Sequence, residues 1–153
     1  MQFKPRLYKF STSLAWTEGK KGLLSSAGKR PVEIACPPEF GGPGGFWSPE
    51  DLLVASVEVC VMTTFVHLMG RRRTEFVSYS SSAEGMAGLE DGEFRFTRIA
   101  VRARVDVSRS DDVPVAIRCI ESAARECMVS RSLRCPVHVE HTVRVQAGAP
   151  TAG

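Results

Sequence analysis

The chain has 153 residues, 43% hydrophobic and 24% charged, which is the size and composition of one soluble globular domain and argues against a disordered chain or a membrane protein. Its net charge of +3, from 20 basic and 17 acidic side chains spread along the sequence, is too weak to imply nucleic acid as a partner. The basic N-terminus is followed by no apolar run with a cleavage site, so no secretory signal is evident and a cytoplasmic location is expected by default.

From Arg6 to Pro37 short β-type runs alternate with turn residues: Leu7–Phe10, Ser13–Trp16, Gly22–Ser25 and Val32–Ala35. They predict an antiparallel meander of three strands. The Gly41–Gly45 stretch around Pro43 reads as a flexible loop, a mobile substrate lid. It lacks the Lys-Ser/Thr of a phosphate loop. Ser48-Pro49-Glu50-Asp51 then opens a helix, with Ser48 as N-cap, Pro49 at the first helical position and two acids in the first turn. Trp47, just before the cap, is placed to staple onto Leu52.

This first helix is expected from about Pro49 to Leu68, with Leu53, Val57, Cys60, Val61, Thr64 and Leu68 at helical spacing and Gly70 as its stop. It is the most apolar stretch of the chain, yet Glu58 interrupts it, so it reads as a buried core helix and not a membrane span. Arg71, Arg72 and Arg73 complement the negative end of its dipole.

Phe76–Ala83 and Phe94–Val107 alternate as strands around a loop at Gly88–Gly92, with Ile99, Val101, Ala103, Val105 and Val107 facing a core and Arg98, Arg102 and Arg104 opposite. Val113–Met128 follows as a second helix with Ile117, Ile120, Ala124 and Cys127 on one stripe. Val137–Val145 alternates again, and residues 146–153 read as a loose tail. Three strands, helix, two strands, helix, strand make a single α+β domain.

Five cysteines, Cys36, Cys60, Cys119, Cys127 and Cys135, are an odd number, and without an export signal they are expected as thiols. No pair has Cys-x-x-Cys spacing, and the three histidines form no metal site: His138 and His141 are three apart on a strand and face opposite sides. Neither a metal nor another cofactor is expected. Taken alone, Cys60 on an apolar helix face reads as a small buried hydrophobe, and its mid-helix position gets no help from the dipole of its own helix.

Two segments change that reading. Pro49-Glu50-Asp51-Leu52-Leu53 followed by Cys60, and Cys127-Met128-Val129-Ser130-Arg131, resemble the osmotically induced protein C / organic hydroperoxide resistance (OsmC/Ohr) family, over roughly Gly22 to Val145. The resemblance implies an OsmC-like fold, antiparallel sheets packed around two long core helices in an intertwined homodimer. It also implies a cysteine-based peroxide reductase without a cofactor. Cys60 matches the family's peroxidatic cysteine, Cys127 the resolving cysteine, and Glu50 the carboxylate that organises an activating arginine. An organic hydroperoxide would be the substrate, and an external, lipoyl-type dithiol the reductant.

Geometry adds a separate point about Glu50. Ten residues at ~1.5 Å rise put it ~15 Å from Cys60 along the helix, so one site using both must draw them from two copies of the chain. The sequence departs from the family pattern in two places. Where an arginine is usual the first hairpin offers Lys20 and Lys21, the candidate activating cations, although an ammonium lacks the planar fork of a guanidinium. Met128 stands where proline usually follows the resolving cysteine. Cys119 and Cys135 read as fillers or as substitute resolving thiols, and Cys36 as incidental. The rival to the enzyme is a non-catalytic OsmC-like dimer that binds a small hydrophobic ligand in a stress response.

Overall fold

The structure is a computed structural model, and it describes residues 6–146; the expected loose tail falls, from residue 147 on, outside the described residues. Two compact units divide the chain, one ending at Leu52 and one beginning at Leu53. The boundary falls within the first helix.

The first unit contains the meander β1 (Ser13–Trp16), β2 (Lys21–Ser25) and β3 (Val32–Ala35), antiparallel throughout, with Trp16 opposite Gly22 and Lys21 opposite Ala35. Leu7–Phe10, expected as a strand run, joins no strand and is exposed. β1 is exposed along its whole length, Trp16 to 74%. A three-stranded sheet with so little of its apolar surface covered is marginal by itself.

The loop after β3 is more constrained than a mobile lid. Its first half is a 3-10 turn, with Phe40 and Gly42 N–H both donating to Pro37 O (3.0 Å each). A Cβ on Gly42 would lie 1.6 Å from the Cys36 carbonyl oxygen, so this position admits only glycine. The helix start follows the sequence reading. Ser48 Oγ accepts from Asp51 N–H and Asp51 Oδ2 from Ser48 N–H, 3.0 Å each, a reciprocal cap closed by aspartate.

Helix α1 runs Pro49–Arg71, through Gly70 and three residues beyond the expected end at Leu68. The chain turns instead at Arg73, which adopts a positive φ of 51°. Among the described residues α1 is the helix long and apolar enough to cross a membrane by length and composition, with mean hydropathy 1.9 over a window of which 28% is buried.

In the second unit β4 (Ser78–Glu90) and β5 (Glu93–Val107) form a long antiparallel hairpin. Asp91 and Gly92 both take positive φ (52° and 81°), the geometry of a two-residue type I′ turn, tighter than the expected Gly88–Gly92 loop. β6 (Val137–Val145) pairs with the other edge of β5, Ile99 opposite Val137 and Val107 opposite Val145, and runs parallel to it. This is a departure from the expected antiparallel sheets. The helical segment after β5 returns the chain to the end where β5 began, so the next strand must run the same way.

That segment is α2 (Val113–Glu126) followed by the short α3 (Met128–Arg131), where a single helix through Met128 was expected. Its buried stripe is Ala116, Cys119, Ile120, Ala123 and Cys127, shifted from the expected one. It packs with Val61, Phe65, Leu68 and Met69 of α1 and with Ala103, Val105 and Val107 of β5 in one core cluster. Ile99 and Val101 join Val57 in a second. The inward face of β5 is thus the one its alternation predicts.

Phe65 anchors the larger cluster, fully buried, with its ring centroid 5.3 Å from that of Phe76 and 5.5 Å from that of Tyr79. Phe65→Ala is expected to lower unfolding stability by about 3–5 kcal/mol, read as a fall in the urea midpoint at unchanged slope.

Candidate active site

Cys60 and Cys127 come together in the second unit. Cys60 is partly buried on α1 and packs against the cluster that contains the fully buried Cys127. The meeting is arranged by an abrupt change of backbone direction. Cys127 leaves the helical region (φ −55°, ψ 111°), yet its N–H still closes the last turn of α2 on Ala123 O (3.0 Å) and its carbonyl accepts the first bond of α3 from Arg131 N–H (3.1 Å). One residue caps two helices. Its Sγ accepts from Ser130 N–H at 3.4 Å, in the manner of a serine or threonine N-cap.

The first amides of a helix have no intrahelical acceptor. Those of Met128 and Val129 serve the neighbouring sulfur. Burial pushes the Cys60 thiol up, but hydrogen bonds from the Cys127 thiol, the Val129 amide, the Thr64 hydroxyl and the Met128 amide together bring it below its ordinary value. Cys127 moves the other way. Burial and its hydrogen bond to Cys60 raise it, partly offset by the Ser130 hydroxyl and amide. The two shifts share one contribution: in the hydrogen bond between the thiols Cys127 S–H donates and Cys60 Sγ accepts, so charge on Cys60 is favoured and charge on Cys127 is opposed. The two thiols titrate as a pair whose first proton comes from the Cys60 side.

The other expected participants belong to the first unit. Glu50 Oε2 is shielded from solvent and has no hydrogen-bond partner. Lys20 Nζ donates to Phe40 O at 2.7 Å. Lys21 is paired with Glu18 and lies 5.3 Å from the centroid of the Phe46 ring. Both ammonium groups thus have partners among residues up to Leu52. Within the second unit the groups that lower the Cys60 thiol are hydrogen-bond donors.

Cys119 is fully buried beside Arg72, raised chiefly by burial. It lies eight residues before Cys127, about 12 Å along the helix, and packs in the same core cluster. Cys135 packs beside Val57, Ile99 and Val101, and Cys36 Sγ is 3.6 Å from Phe40 O. All five cysteines are free. Among the described residues no group of histidine, cysteine and carboxylate side chains could hold a metal.

Sequence reasoning passed over the donors. Thr64 stands one turn from Cys60 and was read as packing, and the Cys-x-x-Ser spacing that caps α3 was read as a family signature. The backbone amides carry no signal in residue types, except that position 128 is not proline.

Comparison with known proteins follows the same lines. The family model described as OsmC-like protein matches residues 42–142. A relative in Bacillus subtilis (strain 168), the uncharacterized protein YmaD, is 28% identical over 121 residues, 76% of this chain and 80% of its own. An OsmC-like protein of unknown function from Vibrio cholerae has the same fold at a TM-score of 0.81 and 18% identity, covering 89% of this chain and 100% of its own. The organic hydroperoxide resistance protein OsmC from Legionella pneumophila aligns at a TM-score of 0.68 and 21% identity, covering 94% and 100%. The organic hydroperoxide resistance protein OhrB of Bacillus subtilis does so at 0.62 and 18%, covering 90% and 99%.

A pH profile tests the amide donors. The rate of Cys60 alkylation by iodoacetamide follows the thiolate, so a thiol lowered by its donors reacts at lower pH than an ordinary cysteine. Met128→Pro deletes one N–H at the first position of α3, which tolerates proline. It should move the profile to higher pH and slow alkylation at neutrality, while Met128→Ala, which keeps the N–H, should leave the profile in place.

Proposed function

Because the chain belongs to the OsmC-like protein family, and because two thiols in contact have their pKa values pushed apart, we propose that it is a thiol peroxidase for organic hydroperoxides. The carrying observation is that asymmetry. A pair of titratable groups driven in opposite directions assigns its own roles: Cys60 attacks and Cys127 resolves.

The Cys60 thiolate attacks the distal oxygen of the hydroperoxide. The O–O bond breaks, the alkoxide leaves and takes a proton as the alcohol, and Cys60 becomes a sulfenic acid. Cys127 then displaces hydroxide from that sulfur, its own proton completing a water, and the disulfide is returned to two thiols by an external dithiol of lipoyl type. Val61 and Val129 pack in the same cluster as the pair, an apolar setting that suits an organic peroxide over hydrogen peroxide. The same apolar setting would also serve the rival reading, a non-catalytic dimer holding a small hydrophobic ligand.

A homodimer is part of this reading. Leu14 and Trp16 on β1 and Val59 and Val66 on α1 are exposed, and a second copy would cover them, α1 included, where a bilayer otherwise would. Glu50 of one copy would then act at Cys60 of the other, which gives a use to a carboxylate oxygen that is buried without a partner.

Cumene hydroperoxide should consume two thiols per equivalent, and Cys60→Ser should abolish the loss. A wild-type chain that loses none would leave the ligand-binding reading in its place. Mixing Glu50→Gln with Cys60→Ser chains should restore turnover, since each mixed dimer holds one site with both groups intact. Activity no higher than the sum of the separate variants would contradict the shared site.

A further inference from the structure

Ser130 Oγ is buried and has no hydrogen-bond partner. Native structures hold few such groups, and each has a reason, a redox or catalytic role among them. The hydroxyl belongs to the residue whose backbone N–H reaches Cys127 Sγ at 3.4 Å, and among its surroundings it is the Cys127 thiol on which it acts. The amides of Met128 and Val129 serve Cys60. Three consecutive residues, 128–130, thereby carry two sets of donors, one for each sulfur, and the set for Cys127 is incomplete while that sulfur is a thiol.

We propose that Ser130 is a positioning residue for the second sulfur: its hydroxyl, which completes no hydrogen bond while Cys127 is a thiol, turns its proton onto Sγ as that sulfur becomes an attacking thiolate. The inference rests on the peroxidase reading for its place in turnover. In that turnover Cys60–SOH and Cys127–SH give the disulfide and water. The Cys127 proton leaves with the displaced hydroxide, one S–S bond forms, one S–O bond breaks, and no outside oxidant or reductant enters. Once Cys60 is a sulfenic acid it no longer draws the Cys127 proton toward a thiolate, so the burden of holding negative charge passes to Cys127. Ser130 is the donor on that side. Cys60 is the titratable group that acts on Cys127, so a change of Ser130 is read against a single neighbour.

The test uses 5,5′-dithiobis(2-nitrobenzoate) on the full chain carrying Cys36→Ser and Cys135→Ser. Cys60 displaces one thionitrobenzoate and keeps the other half of the reagent as a mixed disulfide. Cys127 then displaces the second and closes the Cys60–Cys127 bond. Ser130→Ala should leave the first phase unchanged, which also reports an intact fold around Cys60. It should slow the second phase about tenfold, the scale for losing a hydrogen bond to a charged group, and move its pH midpoint upward. Ser130→Thr, which keeps the hydroxyl, should restore both. A second phase in Ser130→Ala with the rate and pH midpoint of the parent chain, or a parent chain with no second phase, overturns the proposal. The reagent contains no peroxide, so failure to consume cumene hydroperoxide would remove the peroxidase reading without altering this result.

Discussion

A sulfur–sulfur contact depends here on a single residue that belongs to two helices. Cys127 ends α2 with its N–H and begins α3 with its carbonyl. Its extended ψ of 111° releases the next two amides from helical bonding at the point where α1 presents Cys60. Were the helix continuous through Met128, those amides would bond backward into α2, and Cys60 would lose two of its donors. The break thus supplies two of the donors that lower the Cys60 thiol.

The rest of the second unit supports the contact. α1 and α2 share one cluster with the inward face of β5, and the parallel return of β6 holds the far edge of the sheet. Packing of this kind is what places the two thiols in hydrogen-bonding contact. The first unit has a different character. Its sheet leaves Leu14 and Trp16 exposed, while its cap at Ser48 and the turn at Pro37–Gly42 are closely bonded.

Much of this was legible in the residues. The Ser48-Pro49-Glu50-Asp51 start of α1 follows from local chemistry alone, and the period-two alternation of β5 named its buried apolar side chains, missing only the buried Asp106. Boundaries that depend on competition were less legible. Gly70 stays helical because the chain finds its turn at Arg73, and the stripe of α2 is rotated because tertiary packing chooses among several apolar faces. The parallel pairing of β6 has no local signature, since strand direction is decided by the crossover and not by the strand. At the site the pairing of Cys60 with Cys127 came from resemblance to a family, whereas the agents that tune the thiols are backbone amides, which every residue except proline supplies and no residue type advertises. The lysines of the first hairpin drew attention because an arginine is usual there; in the fold they answer to Phe40, Glu18 and Phe46.

The central claim is that Cys60 and Cys127 are partners within one chain. The most direct measurement is peptide mapping by mass spectrometry after oxidation with one equivalent of cumene hydroperoxide and blocking of remaining thiols under denaturing conditions. The account predicts a cross-linked pair containing Cys60 and Cys127, two mass units lighter than the sum of its reduced parts and formed equally when the chains are too dilute to exchange. A cross-link from Cys60 to Cys119 or Cys135, or one that joins two chains, would contradict it.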